Sequence, residues 1–198
     1  EIGSGLVGSE MCIRDRVDQV QFNFRHALSR MGFRIVADEV IDAATTLTIK
    51  SVVFKSSSLG ASGDLNLASG KWENVEAGEM EYPFETGDFI AGSNVITHAA
   101  GTKMSDLTAN GKYLMLIPSN KAVPVAITVN YDVATVDANL AAGGITINNE
   151  ITSAFEFNFD TGKAYWFTLR LGLKSVDVEP VVSDWEDSET DWKPEEKQ

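Results

Sequence analysis

The sequence predicts an all-β protein with a β-sandwich fold. Apolar and polar side chains alternate with a period of two along most of the chain, as in strands that bury one face. No segment of comparable length shows the 3.6-residue period of an amphipathic helix. Gly, Asn and Ser interrupt the alternating runs at short intervals, which is typical of the turns in a sandwich.

Three alternating runs form the N-terminal region. They are residues 20–24, 47–54 and 65–67. Two longer strands are predicted over residues 114–117 and 123–133. Pro118 follows the first of these and Pro124 lies at the start of the second, positions that suit a residue unable to donate a hydrogen bond to a sheet.

The strongest local prediction is a β-hairpin centred on Asp160-Thr161-Gly162. Alternate side chains share one face on both sides of this turn, at positions 155, 157 and 159 and at positions 165, 167, 169 and 171. Gly162 supplies the positive φ that such a turn requires. Each buried Phe contributes about 1.5–3 kcal/mol, so the hairpin is expected at the centre of the core. A last strand is predicted over residues 176–182.

The predicted organisation has four parts. Residues 17–86 form a first small sandwich, truncated at its N-terminus, and residues 87–185 form a second. The boundary between them rests on the turn-rich segment 85–88. Residues 186–198 form an acidic tail, because alternating apolar residues stop after Trp185.

Residues 1–16 make up the remaining part and differ in composition from the rest of the chain. From Leu6 to Arg16 they resemble the conceptual translation of a transposase-type sequencing adapter. The segment is therefore interpreted as non-native and excluded from fold reasoning. The same interpretation removes Cys12 as a lipid-attachment residue, and it places the true start of the protein, with any signal peptide, outside the sequence.

Charge and composition narrow the classes of function. With 29 acidic and 16 basic residues the net charge is −13 at pH 7, which disfavours nucleic acid and anionic lipid as partners. No run approaches the roughly 20 apolar residues of a membrane-spanning helix, so the visible chain is not expected to cross a bilayer. A single cysteine excludes an internal disulfide and a zinc site built from several cysteines.

Several stretches resemble the fimbrillin-like family. Residues 22–33 fit the pattern F-x-F-x-H-A-L-S-[RK]-x-x-F, and residues 159–173 are similar to the family's penultimate G-K-x-Y strand. Residues 113–118, 125–131 and 182–185 resemble further family segments. The ordered set spans nearly the whole chain from Val17 onward.

The resemblance implies a transthyretin-like sandwich and a lipoprotein exported to the outer-membrane surface, as part of a fimbrium. It also implies arginine-specific proteolysis followed by insertion of a donor strand from a neighbouring subunit. The segment after Trp185 lacks the alternating apolar residues of a donor strand. A pilus tip or accessory subunit is therefore expected rather than a shaft subunit, with other pilus subunits or surface receptors as partners.

No catalytic, cofactor-binding or metal-binding residue is predicted, and the chain is not expected to be an enzyme. His26 and His98 are far apart in sequence, and His26 shares the phase of apolar neighbours, which favours packing. No nucleophile-elbow, zinc-protease, P-loop or dinucleotide motif is present. The acidic run 184–191 lacks the alternation of a calcium loop and is interpreted as solvated.

A glycan-binding surface lipoprotein is the alternative hypothesis. It rests on four tryptophans, Trp72, Trp166, Trp185 and Trp192, and it requires at least two aromatic rings side by side on the surface. Burial is the favoured interpretation of Trp166. A third hypothesis, an enzyme without a recognised motif, requires a polar pocket with hydrogen-bonded titratable groups.

Overall fold

The structure is a computed structural model that describes residues 25–108 and 112–185. The predicted strand at residues 20–24, the segment 1–16 and the acidic tail 186–198 lie outside the described residues.

Ten strands are present in the described part of the chain. They are β1 (Ser29–Ala37), β2 (Thr45–Asn66), β3 (Lys71–Glu85), β4 (Val95–Thr97), β5 (Ser105–Asp106), β6 (Leu114–Leu116), β7 (Ala122–Val136), β8 (Gly144–Asn158), β9 (Lys163–Leu171) and β10 (Val176–Asp184). Two single 3₁₀ turns, Thr86–Asp88 and His98–Ala100, are the helical elements of this part. The all-β prediction is confirmed.

The strands form two sheets that pack face to face. Sheet A has the order β10-β9-β1-β5, with β6 also paired to β1. Sheet B has the order β3-β2-β7-β8, with β4 also paired to β2. The pairings are antiparallel except that of β1 with β9, which is parallel.

The described residues form one sandwich, where the sequence predicted two. β1 pairs with β9, and β2 pairs with β7, so each sheet combines strands from both sides of residue 86. The turn-rich segment at 85–88 is a 3₁₀ turn between β3 and β4. Turn residues mark where a strand ends but carry no information about its partner strand, so they suggested a boundary that the pairing does not follow.

The predicted hairpin at Asp160-Thr161-Gly162 is wrong. β8 pairs with β7 in sheet B, whereas β9 pairs with β1 and β10 in sheet A. The turn therefore carries the chain from one sheet to the other. The two aromatic faces do meet, across the interior of the sandwich, and Gly162 has the expected positive φ of 70°. A hairpin and a sheet-to-sheet connection place the same alternating residues inward.

β1 was missed as a strand because it lies at the centre of sheet A. Seven of its nine residues are buried, and apolar residues run almost continuously from Phe33 to Ala37. A strand with a parallel neighbour and cover on both faces shows this pattern instead of alternation. β3 was missed for the opposite reason, since it is an acidic edge strand with mostly exposed side chains.

Polar groups inside the sandwich have hydrogen-bond partners. The Tyr131 hydroxyl donates to the Gly172 carbonyl at 3.0 Å, and the Ser29 hydroxyl donates to the Asp160 carbonyl at 2.8 Å. No buried side-chain nitrogen or oxygen among the described residues lacks a partner. Each of these bonds fixes a loop to a strand of the other sheet or to a strand end.

Gly32 makes room for aromatic side chains on the outer face of β1. A Cβ at this position would lie 2.8 Å from both Trp166 and the Thr108 hydroxyl, and 3.0 Å from Tyr113. These separations are below ordinary van der Waals contact. Only glycine therefore lets the two rings approach the strand this closely.

We predict that Gly32→Ala lowers the thermal midpoint, because the rings must shift to admit the methyl group. Overpacking of this kind costs about 1–3 kcal/mol. Gly87→Ala is the matched control, since nothing lies within 4 Å of its added Cβ. Thermal unfolding followed by circular dichroism measures both. An unchanged midpoint in Gly32→Ala would contradict the tight packing.

Candidate functional site

One long side of the sandwich covers the core, apart from an open groove lined by Tyr82, Phe84, Lys112, Tyr113 and Leu114. Here β3 of sheet B faces β5 and β6 of sheet A, and Leu59, Leu107 and Leu116 between them are at most 1% exposed. The ribbon formed by β2 and β3 bends towards sheet A, where Gly60 forms a bridge with Ile117. The Trp72 indole N–H donates to the Ala27 carbonyl at 2.8 Å and fixes the ribbon in place.

The opposite side is open. β8 is the edge of sheet B and β10 is the edge of sheet A, and they face each other without pairing. Inward-facing residues at this side, which we call the β8–β10 seam, are incompletely covered. Phe155, Phe157 and Val178 are half-buried, Pro180 is exposed, and Val182 is 52% exposed.

Aromatic rings form the floor of the β8–β10 seam. Phe157 packs against Phe167 and Tyr165 of sheet A, with centroid separations of 5.2 and 5.3 Å. Phe155 lies 6.0 Å from Phe167. Edge-on and tilted geometries of this kind are favourable between aromatic rings. The rings of Phe155 and Phe157 are packed on one side and remain accessible from the sheet edge on the other.

Two side-chain hydrogen bonds join the sheets at the closed end of the seam. The Ser153 hydroxyl donates to the Val176 carbonyl at 3.3 Å, and the Asn149 side-chain amide donates to the Leu173 carbonyl at 3.1 Å. From there the seam runs towards Phe157, which contacts Tyr165, the register partner of Val182. Over this length apolar side chains of both edges face the gap between the sheets.

The sheet edges differ in how well they could accept another strand. β3 contains Pro83, several glutamates and register shifts against β2, features that protect an edge from pairing. β10 contains Pro180, which has no N–H to donate. β8 runs for 15 residues without proline and pairs with β7 without a register shift. β8 is therefore the edge best suited to strand addition.

The tryptophans lie elsewhere, mainly on the outer face of sheet A. Trp166 is half-buried and packs edge-on against Tyr113 at 5.4 Å, and the Arg34 guanidinium lies 4.3 Å from its ring. Trp185 stacks on the His26 ring at 3.6 Å. Aromatic rings do lie side by side, as a glycan site requires, but each of the two tryptophans has a cationic or imidazole group stacked on it.

The remaining predicted positions form no common site. The His98 Nδ1–H donates a hydrogen bond to the Ile41 carbonyl at 2.6 Å. Trp192 lies outside the described residues. Among residues 25–108 and 112–185, no group of three His, Cys, Asp or Glu is placed to hold a metal ion. Within the same residues, no helix has the length and apolar character needed to cross a membrane.

Buried tyrosines underlie the open side of the sandwich. Burial raises the pKa of the Tyr165 hydroxyl, which accepts a hydrogen bond from the Asp160 backbone N–H at 2.6 Å. Burial likewise raises the pKa of Tyr131, which is fully buried beneath the β9–β10 turn. Both hydroxyls are therefore neutral over the physiological pH range.

The structure was compared with solved structures. A fimbrial protein from Bacteroides vulgatus ATCC 8482 superposes with a TM-score of 0.60 at 16% identity, covering 80% of this chain and 54% of that one. A candidate cell adhesion protein from Bacteroides ovatus ATCC 8483 matches with a TM-score of 0.42 at 14% identity, covering 81% and 46%. The chain thus spans about half the length of these proteins. No curated protein sequence matches it.

The first of these matches shows that the sandwich has the fold of a fimbrial protein. The family comparison is more specific, because the fimbrillin-like model matches residues 9–185. The chain belongs to the fimbrillin-like family. Membership implies a cell-surface location.

We predict that the free energy of unfolding falls above about pH 10. A tyrosine whose pKa is raised in the folded state releases its proton more readily when unfolded. Its contribution is thus complete below the ordinary pKa of about 10 and is lost as the pH rises through the folded pKa. Tyr165→Phe should show a smaller alkaline loss, and Tyr82→Phe, at a half-buried position, should keep it. Urea unfolding at pH 8 and pH 10.5 measures the free energy of unfolding of each protein at both pH values. An equal loss of this free energy in the wild type and both variants would contradict the assignment.

Proposed function

We propose that the chain is a fimbrial surface subunit that accepts a β-strand from a neighbouring molecule at the β8–β10 seam. The observation that carries this proposal is the contrast between the two sides of the sandwich. One side buries Leu59 and Leu107 completely, whereas the other leaves Phe155 and Phe157 half-covered. An inserted strand would pair with the β8 edge and cover both rings.

Strand addition satisfies two needs of such an edge together. Backbone N–H and C=O groups along β8 gain partners, and alternate side chains of the added strand enter the gap between the sheets. Adding a strand here would complete the burial of Phe155 and Val178, which already pack against the core at half exposure. Each apolar side chain so covered contributes about 1 kcal/mol.

The position of the subunit within a fimbrium is part of the proposal. The acidic run after Trp185 lacks the alternating apolar residues that would fit the seam of the next subunit. A subunit that accepts a strand, and whose segment after Trp185 does not suit the role of a donor strand, fits a tip or accessory position. A glycan-binding role has weaker support, because the aromatic rings of the outer face already stack on Arg34 and His26.

Limited proteolysis tests strand exchange. Arg25 is exposed and precedes β1, whereas Arg30, Arg34 and Arg170 are half-buried within strands. We expect an arginine-specific protease to cleave first at or before Arg25. The cleaved protein should then bind an added peptide of alternating Val and Thr residues, which supplies the donor strand that the acidic segment does not. Size-exclusion chromatography with a fluorescently labelled peptide measures the complex, and cleaved protein that binds no peptide would refute strand addition.

We predict that Val182→Lys abolishes binding of this peptide, because a charged side chain in the seam must be desolvated when a strand covers it. Val181→Lys is the matched control: it makes the same exchange at the next residue of β10, which is 44% exposed on the outer face. Circular dichroism establishes that both variants fold. If Val181→Lys blocks peptide binding equally, or Val182→Lys leaves it intact, the seam is not the acceptor.

A further inference from the structure

Two polar residues, Asn149 and Ser153, interrupt the apolar row that β8 turns towards sheet A. Their neighbours in this row are apolar, at positions 145, 147, 151, 155 and 157, and they pair in register with the inward residues of β7. Asn149 and Ser153 reach across the gap to the carbonyls of Leu173 and Val176. These two bonds, which we call the clasp, hold β8 to the turn between β9 and β10.

Sheet A offers little to an added strand above the clasp, towards the start of β8. β9 ends at Leu171 and β10 begins at Val176, so the clasp lies at the level where these two strands turn. Ile145 and Ile147 of β8, above that level, are 55% and 48% exposed. A strand along this part of β8 would pair with its backbone, but its side chains would contact one sheet instead of two.

The gap between the sheets widens on the other side of the clasp. Along β10 the inward residues become more exposed, from Val176 at 6% through half-buried Val178 to Val182 at 52%. Half-buried aromatic rings of β8 lie on the opposite side of this gap. From Ser153 to Phe157 the distance along β8 is about 13 Å, which an extended segment of about five residues covers.

Passing the clasp is unfavourable for a longer segment. An inward side chain at this level would separate the Ser153 hydroxyl and the Asn149 amide from their carbonyl partners, and polar groups that lose their partners on burial are costly. The return is small, because the apolar residues above the clasp would be covered from one side only. An added strand therefore gains most of its contacts between the clasp and Phe157.

We infer that the clasp sets the length of the strand that the β8–β10 seam accepts, at about five residues. The inference rests on the proposed function and names the chemistry of the partner segment. Its inward residue next to Ser153 is small, because the two sheets are bonded together there. Its inward residue next to Phe157 is large and apolar, because the gap is widest there and alternate side chains of an added strand fill such pockets.

Two peptides of alternating Thr and Val residues, about five and about ten residues long, test the inference. They are added to the cleaved protein, whose described strands all lie after Arg25. We expect dissociation constants that agree within about twofold, because the additional residues gain few contacts. A long peptide that binds more tightly than this would overturn the length limit and leave the acceptor edge in place. Failure of both peptides to bind would overturn strand addition itself.

Hydrogen exchange measured by NMR shows where the long peptide lies on β8. Amides at the free edge within residues 153–158 should exchange about tenfold more slowly when the peptide is bound. Amides within residues 144–150 should exchange at the same rate with and without the peptide. Slower exchange over residues 144–150 would mean that the strand passes the clasp, and would overturn the inference.

Matched variants assign the length limit to the two side chains of the clasp. With Asn149→Ala and Ser153→Ala combined, the long peptide should bind about tenfold more tightly than the short one. The control combines Asn148→Ala and Thr152→Ala, which remove similar polar groups from the outer face, where they bond to β7. Circular dichroism establishes folding, and Ser153→Ala alone should show a smaller change in the same direction. Equal affinities in the clasp variants, or a gain in the control, would overturn the assignment.

Discussion

The parallel pairing of β1 with β9 is the constraint on which the fold depends. It joins Arg30–Ala37 to Ala164–Leu171 and so brings the two ends of the described chain into adjacent strands. Sheet A has no other way to assemble, because β10 pairs only with β9, and β5 and β6 pair only with β1. A pairing between such distant segments forms late and slowly, since the loop between them must first be closed. Every property of sheet A, including its outer face, follows from this contact.

The pairings in sheet B are all antiparallel, and this sheet covers the core on the side opposite sheet A. β2, β7 and β8 supply inward rows of side chains, and Phe54 of β2 meets Phe159 across the interior at 6.2 Å. β8 has 15 residues and β10 has nine, and β8 extends past the Ser153–Val176 hydrogen bond, which leaves Ile145 and Ile147 exposed near its start. Along the seam itself β8 and β10 lie opposite each other without pairing, so Phe155 and Phe157 are only half-buried.

The sequence predicted the class of fold and many of its strands, because alternation is a local property. Residues 47–54 and 123–133 show it clearly, and both lie within long strands of sheet B. Partner choice is not local. The inward faces of β8 and β9 look identical whether the strands form a hairpin or face each other across a sandwich, so the connection at Gly162 was assigned to the wrong arrangement. The stretch 22–33 that resembles the family overlaps the start of β1, but the resemblance did not predict a strand there.

The candidate sites were beyond prediction for the same reason. No pattern distinguishes Phe155 and Phe157 from residues of a sealed core, since their exposure depends on where β10 lies. Likewise Arg30 and Arg34 have similar neighbours in sequence, and only the fold shows that one pairs with Asp106 and the other does not. The sequence gives the number of charged residues, but it does not show which of them form ion pairs with each other.

The stacking of His26 on Trp185 places the entry and exit of the described chain at the same end of the sandwich. Tension applied between these two points would pull β1 and β10 away from β9 one hydrogen bond at a time, as a zipper opens, instead of loading all the bonds together in shear. A sandwich with both chain ends at the same end therefore resists tension between those ends poorly. In a filament under flow, mechanical strength would have to come from bonds between molecules, where a strand held along its length is loaded in shear.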